Sequence, residues 1–211
     1  MSLYQFVRAL VDNVCKVAFR VRVRGKENVP SDGAYVIAPT HRSILDIPFG
    51  SFVTRRNVTF LAKKELFEKK WLGKFFLALG GVPVDRGEAD RKALRACAAA
   101  LAAGTPIMVF PEGTRHHGPD IKELFDGASW LATRAGVPIV PVGIAGSEEI
   151  LSKGKVIPRF KRVAIVIGAP ILPATVGVDR PKRAAIAATT ATLHTELQAV
   201  FDEAQEMLER R

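Results

Sequence analysis

Cysteine is scarce in this chain of 211 residues, with Cys15 and Cys97 the only two. Two thiols are too few for a disulfide framework or for a zinc site of spaced thiolates. Both fall on apolar helical faces, so buried free thiols in a reducing compartment are expected. No run of about twenty apolar residues occurs, which excludes a membrane-spanning helix. The first residues lack a basic segment, apolar core and small-residue cleavage site in that order, so no secretory signal is read there. The expected location is therefore cytoplasmic, with peripheral attachment to the inner face of the cell membrane. Internal repeats, low-complexity tracts and interdomain linkers are also missing, and the length suits one domain better than two. There is no Gly-x-Ser-x-Gly nucleophile elbow, and neither cysteine neighbours a histidine. Helix-turn-helix, zinc-finger and ribonucleoprotein patterns are lacking, which counts against a nucleic-acid module.

Acidic residues are the minority. Lys plus Arg outnumber Asp plus Glu by 31 to 21, a net charge of +10. That balance calls for an anionic partner: nucleic acid, a phospholipid surface or a phosphorylated substrate. Hydrophobic residues make up 48%, an ordinary globular share.

The clearest periodicity predicts an amphipathic helix over residues 3 to 21. Leu3, Val7, Leu10, Val14, Val17 and Val21 form a stripe that Phe6, Val11 and Ala18 widen. Arg8, Asp12, Lys16 and Arg20 recur on the opposite side, with Asp12 and Lys16 spaced for an ion pair. Two readings of the stripe stand: packing on the domain core, or lying in a membrane interface. A basic segment from Lys63 to Phe76 carries Phe67, Trp71, Phe75 and Phe76 on one face, which suits an anionic membrane surface.

Residues 21–24 alternate like an exposed strand, and short apolar runs around 35–38, 58–62, 82–84, 106–110, 139–144 and 163–167 read as strands. Helices are expected over 45–53, 89–103, 130–135 and 183–208. Strands alternating with helices predict a single α/β domain with a largely parallel central sheet. The expected divisions are an N-terminal helix and first strand over 1–24, a core over 25–175, and a C-terminal helix on the same domain over 176–211.

The stretch Tyr35-Val36-Ile37-Ala38-Pro39-Thr40-His41-Arg42-Ser43-Ile44-Leu45-Asp46 organises the rest. A buried strand ends at Pro39, and Thr40 or Ser43 is placed to cap the helix that follows. Positions five apart on one helix point about 140° from each other. His41 and Asp46 can meet only if His41 precedes the helix and folds back over its first turn. Asp46 would then fix the imidazole tautomer, and the other ring nitrogen would be free to take a proton. Alone, such a pair is commonplace. Three further blocks change its meaning: Gly81-Val82-Pro83-Val84-Asp85-Arg86, Phe110-Pro111-Glu112-Gly113-Thr114-Arg115, and Val137-Pro138-Ile139-Val140-Pro141-Val142. In sheets of this class, sites form beyond the carboxyl ends of the strands. His41, Arg86 and Glu112 to Arg115 each follow a predicted strand, so one cleft is expected to collect them.

In order and separation, these four blocks resemble the glycerolipid acyltransferases, the His-x4-Asp family, with the nearest likeness to bacterial 1-acylglycerol-3-phosphate acyltransferases. The resemblance runs from about Gly25 to Pro170. It implies acyl transfer from acyl-CoA, or acyl carrier protein, to the free hydroxyl of lysophosphatidic acid, giving phosphatidic acid in phospholipid biosynthesis, with no cofactor and no metal. It also implies His41 as the base and Asp46 as its orienting partner. Arg86 and Arg115 match positions that hold the acceptor phosphate, and Glu112 and Gly113 match positions associated with acceptor binding. Thr114, Arg42 and Ser43 complete the expected substrate-binding set. The Val137 to Val142 block is read as structural, its prolines suited to a sheet edge or a strand start. His116, His117 and His194 have no convergent partners in the sequence; His116 and His117 are read as a surface loop, with contact to the acceptor headgroup as the alternative.

The chain departs from the family pattern in two places. Many relatives have Asn and Gln on either side of the histidine, where this sequence has Thr40 and Arg42. A Phe-Lys-Lys-Gly segment is replaced by Leu124-Phe125-Asp126-Gly127, so two expected cations are missing. These differences leave glycerol 3-phosphate or another lysophospholipid open as acceptor. A catalytically dead lipid-binding relative and a basic nucleic-acid-binding module are the readings of other classes.

Overall fold

The computed structural model describes residues 3–84, 91–150, 159–174 and 182–210. Helix α1 spans Leu3–Phe19 and leads into strand β1, Arg22–Arg24. Strand β2, Val36–Pro39, is followed by the short helix α2, Asp46–Phe49. Next come β3 (Thr59–Lys63), α3 (Lys70–Ala78), β4 (Gly81–Val84), α4 (Arg91–Ala102) and the two-residue β5 (Ile107–Met108). The remainder is α5 (Gly127–Ala135), β6 (Ile139–Ala145), α6 (Ser147–Ile150), β7 (Ala164–Ile167) and the 27-residue α7 (Arg183–Glu209).

One seven-stranded sheet has the order β1-β7-β6-β2-β5-β3-β4. β6, β2, β5, β3 and β4 run parallel, while β7 is antiparallel to β6 and carries β1 with it. The α/β class with a largely parallel sheet is as the alternation of elements predicts. β2 is central, and its run is apolar because both faces are covered. Val36 and Ala38 pack on the side of α4, α5 and α7, while Tyr35 and Ile37 pack with Cys15 and Phe19 of α1 and Phe49 of α2. That is the period-two alternation of a strand.

Pro141 lies inside β6, a fully buried strand between β7 and β2, and not at the expected edge or strand start. Its nitrogen faces the β7 side just beyond the end of that strand, where Gly168 N–H donates to Pro141 O at 2.9 Å. The missing donor costs one bond of that pair, and the antiparallel pairing resumes at Ile139, which exchanges bonds with Ile171 at 2.9 and 2.7 Å. Two residues on, a Cβ at Gly143 would stand 2.2 Å from Val200 O, so the lack of a side chain lets α7 lie directly on β6.

α1 packs on the domain through the face that carries Arg8 and Asp12, so of the two readings of its stripe, packing on the core does not describe most of it. Arg8 donates to Ser51 O at 3.0 Å and pairs with Asp12 at 3.5 Å, and Ser51 donates to Asp12. Cys15 and Phe19 are buried alongside, Phe19 standing edge-on to Phe49 at 5.7 Å. The apolar stripe is divided: Val11, Ala18 and Val21 pack on the core, while Phe6, Leu10, Val14 and Val17 are all more than half exposed. Lys16 and Arg20 flank it in the solvent. The basic aromatic segment divides similarly. Phe67 and Phe76 pack on the core near Phe60, while Trp71 and Phe75 are exposed. Among the described residues, no helix is long and apolar enough to cross a membrane.

Candidate active site

The parallel strands deliver their loops to one end of the sheet. Thr40 continues β2 and is tied to β6, accepting from Ile144 N–H at 2.9 Å and donating to Ile144 O at 3.3 Å. It therefore anchors the loop to the neighbouring strand and does not cap α2. His41 lies before α2, and its ring turns back over the first helical residue, Asp46. Nδ1 is 3.2 Å from Asp46 Oδ2. The same oxygen accepts the N–H groups of Arg42 and Ser43, each at 2.6 Å. Three donors thus converge on one buried oxygen and hold the carboxylate beneath the ring. Nδ1 is assigned the proton because Oδ2 can only accept, which leaves Nε2 for proton transfer. The imidazole also stacks on Phe110, with centroids 4.1 Å apart and planes 26° from parallel.

The loop after β5, the strand beside β2, supplies the second half. The Glu112 carboxylate is wholly buried. It accepts the backbone N–H of His41 at 3.0 Å and Arg42 Nη1 at 2.8 and 2.9 Å, one distance to each oxygen. Arg42 Nη1 also approaches His41 O at 3.2 Å, and Nη2 donates to Asp120 O at 3.1 Å. The guanidinium carbon sits 4.8 Å from the centre of the Phe201 ring on α7, within cation–π range. Sequence reading put Arg42 and Glu112 among the groups that meet substrate; in the structure their charges face each other and are enclosed. Ser43 is buried as well, its backbone N–H given to Asp46.

Beyond Glu112 the chain turns sharply. Gly113 has φ 67°, and a Cβ there would lie 2.7 Å from the Phe125 ring, so position and dihedral both demand glycine. Gly113 and Thr114 are exposed and Arg115 is half-buried, in no ion pair among the described residues. His116 N–H returns to His41 O at 3.0 Å, which places this turn against the histidine. His117 pairs with Glu148 at 2.7 Å, and His194 Nε2 lies 3.2 Å from Ile121 O, so both have structural partners. Arg86 lies outside the described residues. β4, which leads toward it, is three strands from β2, about 14 Å at the usual spacing. Among the described residues, no three His, Cys, Asp or Glu side chains gather as a metal site.

Phe110, Phe201 and the Asp120 carbonyl are the site residues that sequence reasoning passed over. Phe110 stood within a recognised block. Phe201 lies on the C-terminal helix, seven positions beyond His194, and nothing local marks it. The Arg42–Glu112 pair had one faint signal, opposite charges each following a buried run, but pairing them requires knowing that β2 and β5 are neighbours.

Three comparisons bear on this arrangement. The family model described as Acyltransferase matches residues 20–145. The 1-acyl-sn-glycerol-3-phosphate acyltransferase of Bacillus subtilis (strain 168) is 30% identical over 197 residues, 93% of this chain and 96% of that protein. The crystal structure of the 1-acyl-sn-glycerophosphate (LPA) acyltransferase, PlsC, from Thermotoga maritima superposes with a TM-score of 0.75 at 26% identity, covering 99% of this chain and 82% of that one.

Proposed function

Since the chain belongs to the acyltransferase family, we propose that it transfers a fatty acyl group to the free hydroxyl of 1-acylglycerol 3-phosphate, giving phosphatidic acid. The donor is an acyl thioester, acyl-CoA or acyl carrier protein. The observation that carries the reading is the His41–Asp46 contact of 3.2 Å at the end of the central strand. His41 Nε2 takes the hydroxyl proton as the oxygen attacks the thioester carbonyl carbon. The tetrahedral intermediate collapses with cleavage of the C–S bond, and the imidazolium returns its proton to the leaving thiolate. General-base assistance of this kind is worth about 10²–10⁴ in rate. No acyl-enzyme forms, because the nucleophile is the acceptor's own hydroxyl.

Arg115, with Arg86, holds the acceptor phosphate, since a guanidinium fork matches phosphate oxygens. Half-burial of Arg115 beside the His41 loop, and its freedom from ion pairs among the described residues, support this role. Gly113 and Thr114, exposed on the same turn, border the acceptor. The enzyme works at an anionic membrane surface, where its substrates reside. The outward part of the α1 stripe and the exposed Trp71 and Phe75, set among Lys69, Lys70 and Lys74, support that attachment.

Thiol release from palmitoyl-CoA tests the reaction, with lysophosphatidic acid, glycerol 3-phosphate and lysophosphatidylcholine supplied separately. Release that depends on lysophosphatidic acid and disappears in His41→Ala is the expected result. Preference for another acceptor overturns the substrate assignment, and activity that survives His41→Ala overturns the base.

A further inference from the structure

We propose that Arg42 and Glu112 are positioning residues that fix the backbone of His41, and that neither touches substrate; this rests on the reading of His41 as the base. Burying an ion pair this completely carries a desolvation cost that the attraction between the partners often fails to offset. Stability alone is thus a weak reason for the pair, and its hydrogen bonds point to another. The Glu112 carboxylate takes the His41 N–H at 3.0 Å, and Arg42 Nη1 reaches His41 O at 3.2 Å. His116 N–H bonds the same carbonyl at 3.0 Å. Both backbone polar groups of His41 are therefore held from the β5 side, while Asp46 and Phe110 hold its ring. The guanidinium joins three segments at one point: the β2 end, the β5 loop through Glu112 and Asp120, and Phe201 on α7. The Arg42 and Glu112 side chains are 1% and 0% exposed, and both Arg42 Nη atoms are given to protein oxygens, with Nε buried and without a partner among the described residues.

Two double variants separate positioning from charge. Arg42→Met/Glu112→Gln removes both charges but keeps a carbonyl acceptor for the His41 N–H. Arg42→Met/Glu112→Leu removes both charges and the acceptor. Circular dichroism melting reports folding, and kcat and KM for lysophosphatidic acid are measured with His41→Ala alongside. The Gln double is expected to hold kcat within about tenfold of the parent, and the Leu double to lose about a hundredfold or more, the scale of an ångström-sized misplacement. KM stays within about threefold in both, as for an effect made only in the transition state. Equal kcat in the two doubles overturns the inference, as does a tenfold rise in KM with kcat held. If the Leu double does not fold, Arg42→Lys decides, since a point charge replaces the fork. Its kcat should fall about tenfold at unchanged KM, and an unchanged kcat overturns the inference. Activity in His41→Ala defeats the base reading itself, whereas an inactive His41→Ala beside fully active doubles defeats only the positioning role.

Discussion

Asp46 Oδ2 accepts two backbone N–H groups as well as the His41 ring, so the carboxylate is locked whether or not the imidazole is present. Asp46→Asn with its amide oxygen in the place of Oδ2 can keep all three bonds, its NH2 taking the buried place of Oδ1, which has no partner among the described residues. What it removes is the negative charge that stabilises the imidazolium formed when His41 takes the proton. We expect kcat to fall about 10²-fold or more with little change in melting temperature. Gly113→Ala is expected to cost activity for a different reason, since its φ of 67° strains alanine and its methyl displaces Phe125. Far from the site, burial pushes the Cys97 thiol up to about 11. An unfolded thiol ionises near 8.5. Below that pH both states are protonated and the thiol favours neither. Above it the unfolded chain releases the proton first, so stability declines until the folded thiol also ionises, by about 3 kcal/mol in all. Urea midpoints at pH 8, 9.5 and 10.5 should fall less steeply in Cys97→Ala than in the parent. At this scale the residue types were legible in the sequence and their partners were not. His41, Asp46 and Glu112 announce themselves by position, but the Glu112–Arg42 contact depends on strand adjacency across 70 residues.

α1 shows what periodicity can and cannot decide. The spacing of Val7, Leu10, Val14 and Val17 identifies a helix with two unlike faces. It does not say which face meets protein, because that depends on what the domain offers. Here α2 and the turn after it offer the Ser51 carbonyl and hydroxyl, which suit Arg8 and Asp12, and Phe49, which suits Phe19. Much of the apolar stripe is then left outside. Separate readouts follow for the two faces. Leu10→Ser/Val14→Ser should leave the melting temperature within a few degrees, since surface changes stay near ±0.5 kcal/mol each, and should weaken flotation with anionic liposomes. Phe19→Ala should cost about 3–5 kcal/mol, as a buried aromatic does. Flotation unchanged in the stripe variant would return that face to a role other than lipid contact. Pro141 carries the same lesson in a strand. Its place in the sheet interior rests on the bonds that the chain beyond β7 makes to Pro141 O and to Ile139, and no local pattern records those.

Over the whole molecule, one end of the sheet gathers the loops and an uneven charge surrounds them. The net charge of +10 was legible at once, and so was the α/β class. Where the basic residues end up was not, because folding consumes some of them. Arg42 disappears into the Glu112 carboxylate and Arg8 into the α1 contact, while Lys16, Arg20, Lys69, Lys70 and Lys74 remain exposed beside apolar side chains. Attraction of such cations to an anionic bilayer is worth about 1 kcal/mol per residue near the surface and decays within a Debye length, about 10 Å at 0.1 M salt. The apolar contribution from Phe6, Leu10, Val14, Val17 and Trp71 does not screen. Binding to vesicles should therefore have two separable parts. With vesicles rich in phosphatidylserine, raising salt from 0.05 to 0.5 M should lower affinity by about tenfold or more. A residual, salt-insensitive part should persist and weaken in Leu10→Ser/Val14→Ser. Sedimentation with phosphatidylcholine vesicles should show only that residual part. Affinity equal on the two vesicle types at low salt would assign the exposed cations to substrate phosphate and remove them from the membrane contact.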